Sequence, residues 1–284
     1  MKMLLSIFLS MSIILSCQQD HNRFAEEKNL PAQEFHNVSY GADTLQRMDV
    51  YLPEGRSKVA TPSLVLIHGG SWNGGSKSDF TAYIDSLQKR MPGYAIFNLN
   101  YRLFNGSNIF PTQEQDVKKA LEFIAGKKDD YSINHDKIVL MGASAGGHLA
   151  LLQAYKYEVP RIAGVIDFFG PTDLTTMYLD PWHPYIPVAL QMVTGTNPKQ
   201  DAALYHQSSP INFVTARSAP TLIFHGGNDP VVHVSQSRAL KKKLEKAGVA
   251  HDLVVYPTQR HGWYGATLSN SFDIIESFLA TNVK

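Results

Sequence analysis

The sequence predicts an α/β fold with a mostly parallel central sheet and helices on both faces. Three observations predict it. Short apolar runs without polar alternation recur along the chain, and such runs suit strands buried on both faces. Stretches with apolar residues at helical spacing alternate with them, the order of a parallel sheet with crossover helices. Several of the runs end in glycine, where the chain can turn sharply at the carboxyl end of a strand.

In chain order, "RMDVYLP" (47–53) alternates Met48, Val50 and Leu52 inward and reads as a half-buried strand stopped by Pro53. "PSLVLIHGG" (62–70), "YAIFNLNY" (94–101), "KIVLMG" (137–142), "IAGVIDFFG" (162–170), "PTLIFHGG" (220–227) and "HDLVVYP" (251–257) read as the buried strands. Between them, 113–127 places Val117, Ala120, Leu121 and Ile124 on one helical face, with Gly126 as its end. The stretch 235–248 does the same with Leu240, Leu244 and Ala247, closed by Gly248. A last helix over about 269–282 carries Phe272, Ile275 and Leu279.

The chain has 284 residues, is 44% hydrophobic and has a formal net charge of +1. That composition suits one globular body with a sizeable core, and the charge gives no footprint for nucleic acid. "KKKLEK" (241–246) reads as a solvated helix face. The N-terminus is separate. Residues 1–16, "MKMLLSIFLSMSIILS", have a basic start and an apolar run too short to span a bilayer, the pattern of an export signal. Cys17, the single cysteine, follows at once, so no disulfide within the chain is expected. Residues 17–36 are polar without period and read as a tether, leaving 37–284 as the folded body.

The chemistry gathers beyond the strand ends. Gly142-Ala143-Ser144-Ala145-Gly146 is a G-x-S-x-G motif between an expected strand and an expected helix. A sharp turn there exposes the Ser144 hydroxyl, glycines relieve the crowding, and the helix N-terminus faces developing negative charge. A serine needs a base, and His261 follows the last strand in "RHGW". The base needs an orienting acid, and Asp229 follows the preceding strand in "HGGNDPVV". Asp173 in "GPTDL" competes for that place and is otherwise a turn or helix cap. The oxyanion donors expected are the N–H groups of Gly70, Ser71 and Ala145, with Gly69 beside them in "HGGSWNGG" (68–75).

With "MDVYLP", "HGGSW", "NYRL" (100–103), "QDVKKAL" (115–121), "GASAGGHLA" (142–150), "HGGNDPVV" and "RHGW", the chain resembles α/β-hydrolase esterases with an HGG oxyanion motif. That group includes bacterial acetyl and feruloyl esterases and hormone-sensitive-lipase-like carboxylesterases. The resemblance covers nearly all of 37–284. It implies an α/β-hydrolase fold and a Ser-Asp-His ester hydrolase with no cofactor and no metal, in line with the lack of metal-type spacing among His36, His68, His148 and His225. Ser71 departs from the third glycine of many members. "IILSC" resembles the lipobox of bacterial lipoproteins, which implies lipidation at Cys17, a membrane anchor and an outer-membrane location.

The resemblance also implies acetyl or feruloyl esters of carbohydrate, such as xylan, as substrates. Two other readings stay open: an arylformamidase-type amide hydrolase, which "HGGSW" also resembles, or a small-ester carboxylesterase. An inactive fold kept for binding is disfavoured by the presence of all three triad residues. His148 reads as a packed, hydrogen-bonded histidine and His225 as a brace for the acid loop. Trp72 either lines an acyl pocket or covers its loop. The stretch 174–218 is expected to form part of the pocket, with Tyr178, Trp182 and Tyr185 as stacking candidates, or to be a surface insertion with its own small core.

Overall fold

A computed structural model describes residues 30–283. The expected signal segment 1–16 and Cys17 lie outside the described residues. Eight strands form one sheet: β1 (Gln33–Ser39), β2 (Arg47–Leu52), β3 (Ser63–Ile67), β4 (Ala95–Leu99), β5 (Ile138–Ala143), β6 (Ile162–Phe168), β7 (Thr221–Gly226) and β8 (His251–Tyr256). Their order across the sheet is β1-β2-β4-β3-β5-β6-β7-β8. β2 runs antiparallel to both its neighbours, and every pair from β4 to β8 is parallel. This is the α/β-hydrolase arrangement the sequence predicts.

Among the described residues ten helices surround it: α1 (Ser78–Thr81), α2 (Ile84–Arg90), α3 (Thr112–Gly126), α4 (Lys128–Tyr131), α5 (Ala145–Lys156), α6 (Leu174–Leu179), α7 (Tyr185–Thr194), α8 (Ala202–Gln207), α9 (Ser235–Ala247) and α10 (Gly265–Asn282). The strand period of two divides the apolar runs between two layers. Val65 and Ile67 of β3 pack with Val117 and Leu121 of α3, Leu149 of α5 and Leu240 of α9. Leu64 and Leu66 of the same strand pack with Leu87 of α2 and with Phe272 and Ile275 of α10. A strand with both faces covered needs apolar residues at every position, which is why these runs do not alternate.

Two boundaries differ from the sequence reading. Residues 33–36, expected to belong to the tether, are the first half of β1. β1 is an edge strand exposed along nearly its whole length, so nothing selects apolar residues in it. β2 is buried on both faces rather than one. Its Asp49 is tolerated because Lys77 Nζ lies 2.5 Å from one carboxylate oxygen and the Asn37 N–H donates to the other at 2.8 Å.

Candidate active site

Ser144 sits between β5 and α5 with φ +56 and ψ −119, a conformation rarely held by a residue with a side chain. Two glycines make the turn feasible. A Cβ on Gly142 would lie 2.2 Å from the Gly146 carbonyl oxygen, and one on Gly146 would lie 1.9 Å from that of Ile67. The Ser144 N–H donates to the Phe168 carbonyl at 2.8 Å, tying the turn to β6.

The structure brings His261 and Asp229 to this serine. His261 Nε2 is 3.0 Å from Ser144 Oγ, and His261 Nδ1 is 2.7 Å from Asp229 Oδ2. The loops that carry the two residues are joined through backbone: Gly227 N–H donates to Tyr256 O at 2.8 Å and Asn228 N–H to Gln259 O at 3.0 Å. Gly226 permits the approach, since a Cβ there would lie 2.0 Å from the Arg260 carbonyl oxygen.

Asp229 Oδ1 accepts the N–H groups of Val231 and Val232 at 2.8 and 3.0 Å. His225 Nε2 faces two acceptors, Val232 O at 2.8 Å and Asp229 Oδ2 at 3.4 Å, so it carries the proton there, and Nδ1 accepts the Ser237 hydroxyl at 2.6 Å. Burial alone raises the Asp229 carboxyl. The bonds from His225 and His261, with that of the Val232 N–H, outweigh it and hold the carboxyl well below the usual range. The acid is therefore ionised opposite His261, the state needed to stabilise an imidazolium.

The loop after β3 crosses over this pair. A Cβ on Gly69 would stand 3.3 Å from Ser144 Cβ. Gly70, Ser71 and Trp72 follow with φ of +101, +52 and +60, and the Gly70 carbonyl accepts the N–H groups of Asn73 and Gly74 at 3.1 and 2.9 Å. Tyr101 of "NYRL" anchors the loop at its root, its hydroxyl donating to the His68 carbonyl at 2.9 Å. Ala145 opens α5, where the first N–H groups have no partner within the helix.

A cavity of about 520 Å³ opens on Ser144 and His261. Phe80, Tyr83, Phe168, Phe169, Trp263 and Phe272 make it largely aromatic, and Asp79 places a carboxylate at its rim. Phe169, at φ +46, sets its ring 4.5 Å from that of His261.

The BD-FAE family model matches residues 48–244, which span Gly70, Ser144 and Asp229. The chain belongs to the BD-FAE family. It is similar to a probable carboxylic ester hydrolase, LipM, of Mycobacterium tuberculosis, at 28% identity over 86% of this chain and 60% of the relative. The esterase LipC of the same organism is 25% identical over 80% of this chain and 59% of its own length. The chain thus spans about three-fifths of these two relatives. Among solved structures, a truncated carbohydrate esterase from gut microbiota superposes with a TM-score of 0.75 at 25% identity, covering 91% of this chain and 99% of the other.

Other residues of this BD-FAE chain fall into structural places. Asp173 caps α6, accepting the Thr176 N–H at 3.0 Å. His148 is fully buried, accepting the Trp72 indole N–H at Nδ1 (3.2 Å) and donating from Nε2 to Ser208 O (2.7 Å). Burial pushes its pKa down to about 4. Trp72 covers the loop after β3 from within the core and does not line the cavity.

The expectation that 174–218 forms the pocket is corrected: none of its residues lines the cavity at Ser144. Its helices pack Leu174, Met177, Leu190, Val193 and Tyr205 onto the layer beside α5. Tyr178 stacks edge-on against Tyr205. The sequence reading also passed over the aromatic wall, whose members lie on α1, α10, the end of β6 and three different loops. The strand ends marked Phe168, Phe169 and Trp263, but no local period marks Phe80, Tyr83 or Phe272 as neighbours.

Proposed function

We propose that this chain is a serine hydrolase of carboxylic esters, acting on carbohydrate esters that carry acetyl or feruloyl-type acyl groups. The line from Ser144 Oγ through His261 to Asp229, at 3.0 and 2.7 Å, carries the reading. Ser144 Oγ adds to the ester carbonyl carbon while His261 Nε2 takes its proton. The N–H groups of Gly70, Ser71 and Ala145 donate to the oxyanion of the tetrahedral intermediate. The intermediate collapses, the C–O bond to the alcohol breaks, and His261 returns the proton to the leaving oxygen. Water, giving a proton to His261, then adds to the acyl-enzyme, and Ser144 leaves with that proton. Asp229 stays ionised and keeps the His261 Nδ1–H pointed at itself.

The acyl reading draws on the cavity wall. A space of about 520 Å³ faced with aromatic rings suits a planar aromatic acyl group better than acetyl alone. The carbohydrate reading draws on the neighbouring carbohydrate esterase structure. Export and a lipid on Cys17 draw on the N-terminal sequence and would hold the enzyme at the cell envelope, facing such polymers.

The deciding experiment follows release of acetate and of ferulate from acylated xylan oligosaccharides, with Ser144→Ala as control. Release lost in the variant supports the reading. No release, with Ser144 still labelled by a fluorophosphonate, overturns the carbohydrate part and leaves small aryl esters and aryl formamides.

A further inference from the structure

An acyl-enzyme gives His261 less to hold it than the free enzyme does. In the free enzyme the imidazole is tied at both nitrogens, to Asp229 at 2.7 Å and to Ser144 Oγ at 3.0 Å. Acylation turns Ser144 Oγ into an ester oxygen with no proton to share. The ring then keeps one hydrogen bond, at Nδ1, and the side-chain torsion that swings Nε2 is broad. The chain beside it gives no support. Gly262 follows at φ +124, and among the described residues nothing lies within 4 Å of a Cβ added there.

Phe169 stands against the ring. The two ring centroids are 4.5 Å apart at 51°, and among the described residues no other aromatic ring pairs with His261. Trp263 backs Phe169 edge-on at 5.5 Å and 78°, and its own indole N–H is fixed on Ser271 Oγ at 2.9 Å. The placement strains the backbone: φ of Phe169 is +46, where a residue with a Cβ is disfavoured. Two bonds hold it there. The Phe169 N–H donates to Phe224 O at 2.8 Å, and the adjoining Phe168 carbonyl accepts the Ser144 N–H at 2.8 Å. The ring is carried by the same strand end that holds the turn of the nucleophile.

We infer that Phe169 is a positioning residue for deacylation, keeping His261 Nε2 turned to the acyl carbonyl once Ser144 no longer bonds it. This rests on the ester-hydrolase reading above and adds which residue serves its second half. In that half the water oxygen adds to the acyl carbonyl carbon and a water proton goes to Nε2. The C–O bond to Ser144 Oγ then breaks, and the proton passes from Nε2 to Oγ. A base displaced by about 1 Å loses up to about 10²-fold in such a step. In acylation the Ser144 hydroxyl itself holds Nε2, so the ring matters less there.

p-Nitrophenyl acetate separates the halves: its burst of p-nitrophenol reads acylation, and its steady rate reads deacylation. Phe169→Leu removes the ring and keeps an apolar side chain, while Phe169→Tyr keeps the ring. In Phe169→Leu the deacylation constant is expected to fall about ten-fold, with acylation held within about two-fold. kcat and KM then fall together, and kcat/KM is unchanged. Phe169→Tyr is expected to stay within about two-fold of the natural chain in both constants. Bursts are scaled to the Ser144 labelled by a fluorophosphonate, so misfolded protein is not counted. Phe169→Met takes the place of Phe169→Leu if that variant does not fold.

Acylation and deacylation slowed by the same factor would make Phe169 a packing residue and overturn the inference. Unchanged constants in Phe169→Leu overturn it as well, with the ester-hydrolase reading left standing. So does a Phe169→Tyr protein as slow in deacylation as Phe169→Leu, since the ring would then not be what matters. If the natural chain gives neither p-nitrophenol nor labelling of Ser144, the ester-hydrolase reading falls and the inference with it.

Discussion

His225 stands 3.4 Å behind Asp229, on the same carboxylate oxygen that His261 bonds at 2.7 Å. It is fully buried, and its other nitrogen is fixed by Ser237. His225 therefore acts through Asp229 as a positioning residue. In His225→Phe the volume is kept and the bond is lost. The carboxylate, with one donor fewer, is more basic and is no longer pinned in the orientation that meets His261 Nδ1. The expected outcome is a kcat about ten-fold lower with KM little changed. The acid limb of the kcat profile moves to higher pH, a shift that a purely structural role would not give.

Ser144 pays for its exposure in backbone strain. At φ +56 and ψ −119 a glycine is at ease and an alanine is not. Ser144→Ala and Ser144→Gly are both expected to lose about 10⁴-fold or more in kcat. They are expected to part in stability, with Ser144→Gly about 1 kcal/mol more stable than Ser144→Ala. That difference corresponds to roughly 2–4 °C in thermal midpoint for a domain of this size. Parallel calorimetric scans check it, and equal midpoints would mean the turn is not strained.

Legibility in the sequence followed burial. β3 to β7 could be read because both faces of each are covered, leaving continuous apolar runs, and β8, an edge strand only half-buried, still shows one in Leu253–Tyr256. β1 could not, because it lies exposed on the edge and Gln33, Glu34 and His36 are as suitable there as in a tether. The meeting of Ser144, Asp229 and His261 was legible because each follows a strand end, in a chain order that a parallel sheet brings to one edge. The fit of Gly147 and Gly170 around Asp167 was not. A Cβ on Gly147 would lie 2.2 Å from Asp167 Oδ1, a contact that exists only once α5 packs on β6, and one on Gly170 would lie 2.4 Å from the same oxygen across the turn after β6.

That Asp167 gives a pH prediction. It is fully buried, Oδ1 accepts the Gly170 N–H at 2.9 Å, and Oδ2 has no partner among the described residues. Burial raises its pKa to about 7, against some relief from His225 and the Gly170 N–H. A folded-state pKa above the unfolded value means that the native state holds the proton more tightly. The stability it contributes is full below about pH 4 and is lost as pH rises through 7. His148, lowered to about 4, works in the opposite sense: its contribution is full above about pH 6.5 and is lost as pH falls toward 4. The two slopes oppose each other in the natural chain, so single variants are needed to see them. Asp167→Asn is expected to gain stability relative to the natural chain between pH 5 and pH 8. His148→Gln is expected to lose less than the natural chain on acidification from pH 7 to pH 4.5. Urea midpoints at three pH values check both signs.

Arg102 and Asp116 link the outer layer to the loop after β3 that carries Gly70 and Ser71. Asp116 on α3 is 1% exposed and takes the Arg102 guanidinium at 2.6–3.1 Å, the Arg102 backbone N–H at 2.9 Å and the Gln46 amide at 2.7 Å. Arg102 is flanked by Tyr101, whose hydroxyl holds the His68 carbonyl, and closely followed by Phe104, whose N–H donates to Trp72 O at 2.8 Å. Removing the carboxylate leaves a guanidinium and two other donors unpaired at the root of the loop that carries Gly70 and Ser71. Asp116→Ala is expected to cost about 3–5 kcal/mol in stability, because a half-broken buried pair is worse than none. It is also expected to lower kcat more than KM, since the loop donors act on the transition state. The pair Arg102→Met with Asp116→Leu is expected to recover part of the stability, with the shape refilled and no lone charge left. Recovery of kcat along with stability would show that the loop needs only packing. Recovery of stability alone would show that the Arg102 backbone N–H must be held by the carboxylate for Gly70 and Ser71 to face the oxyanion.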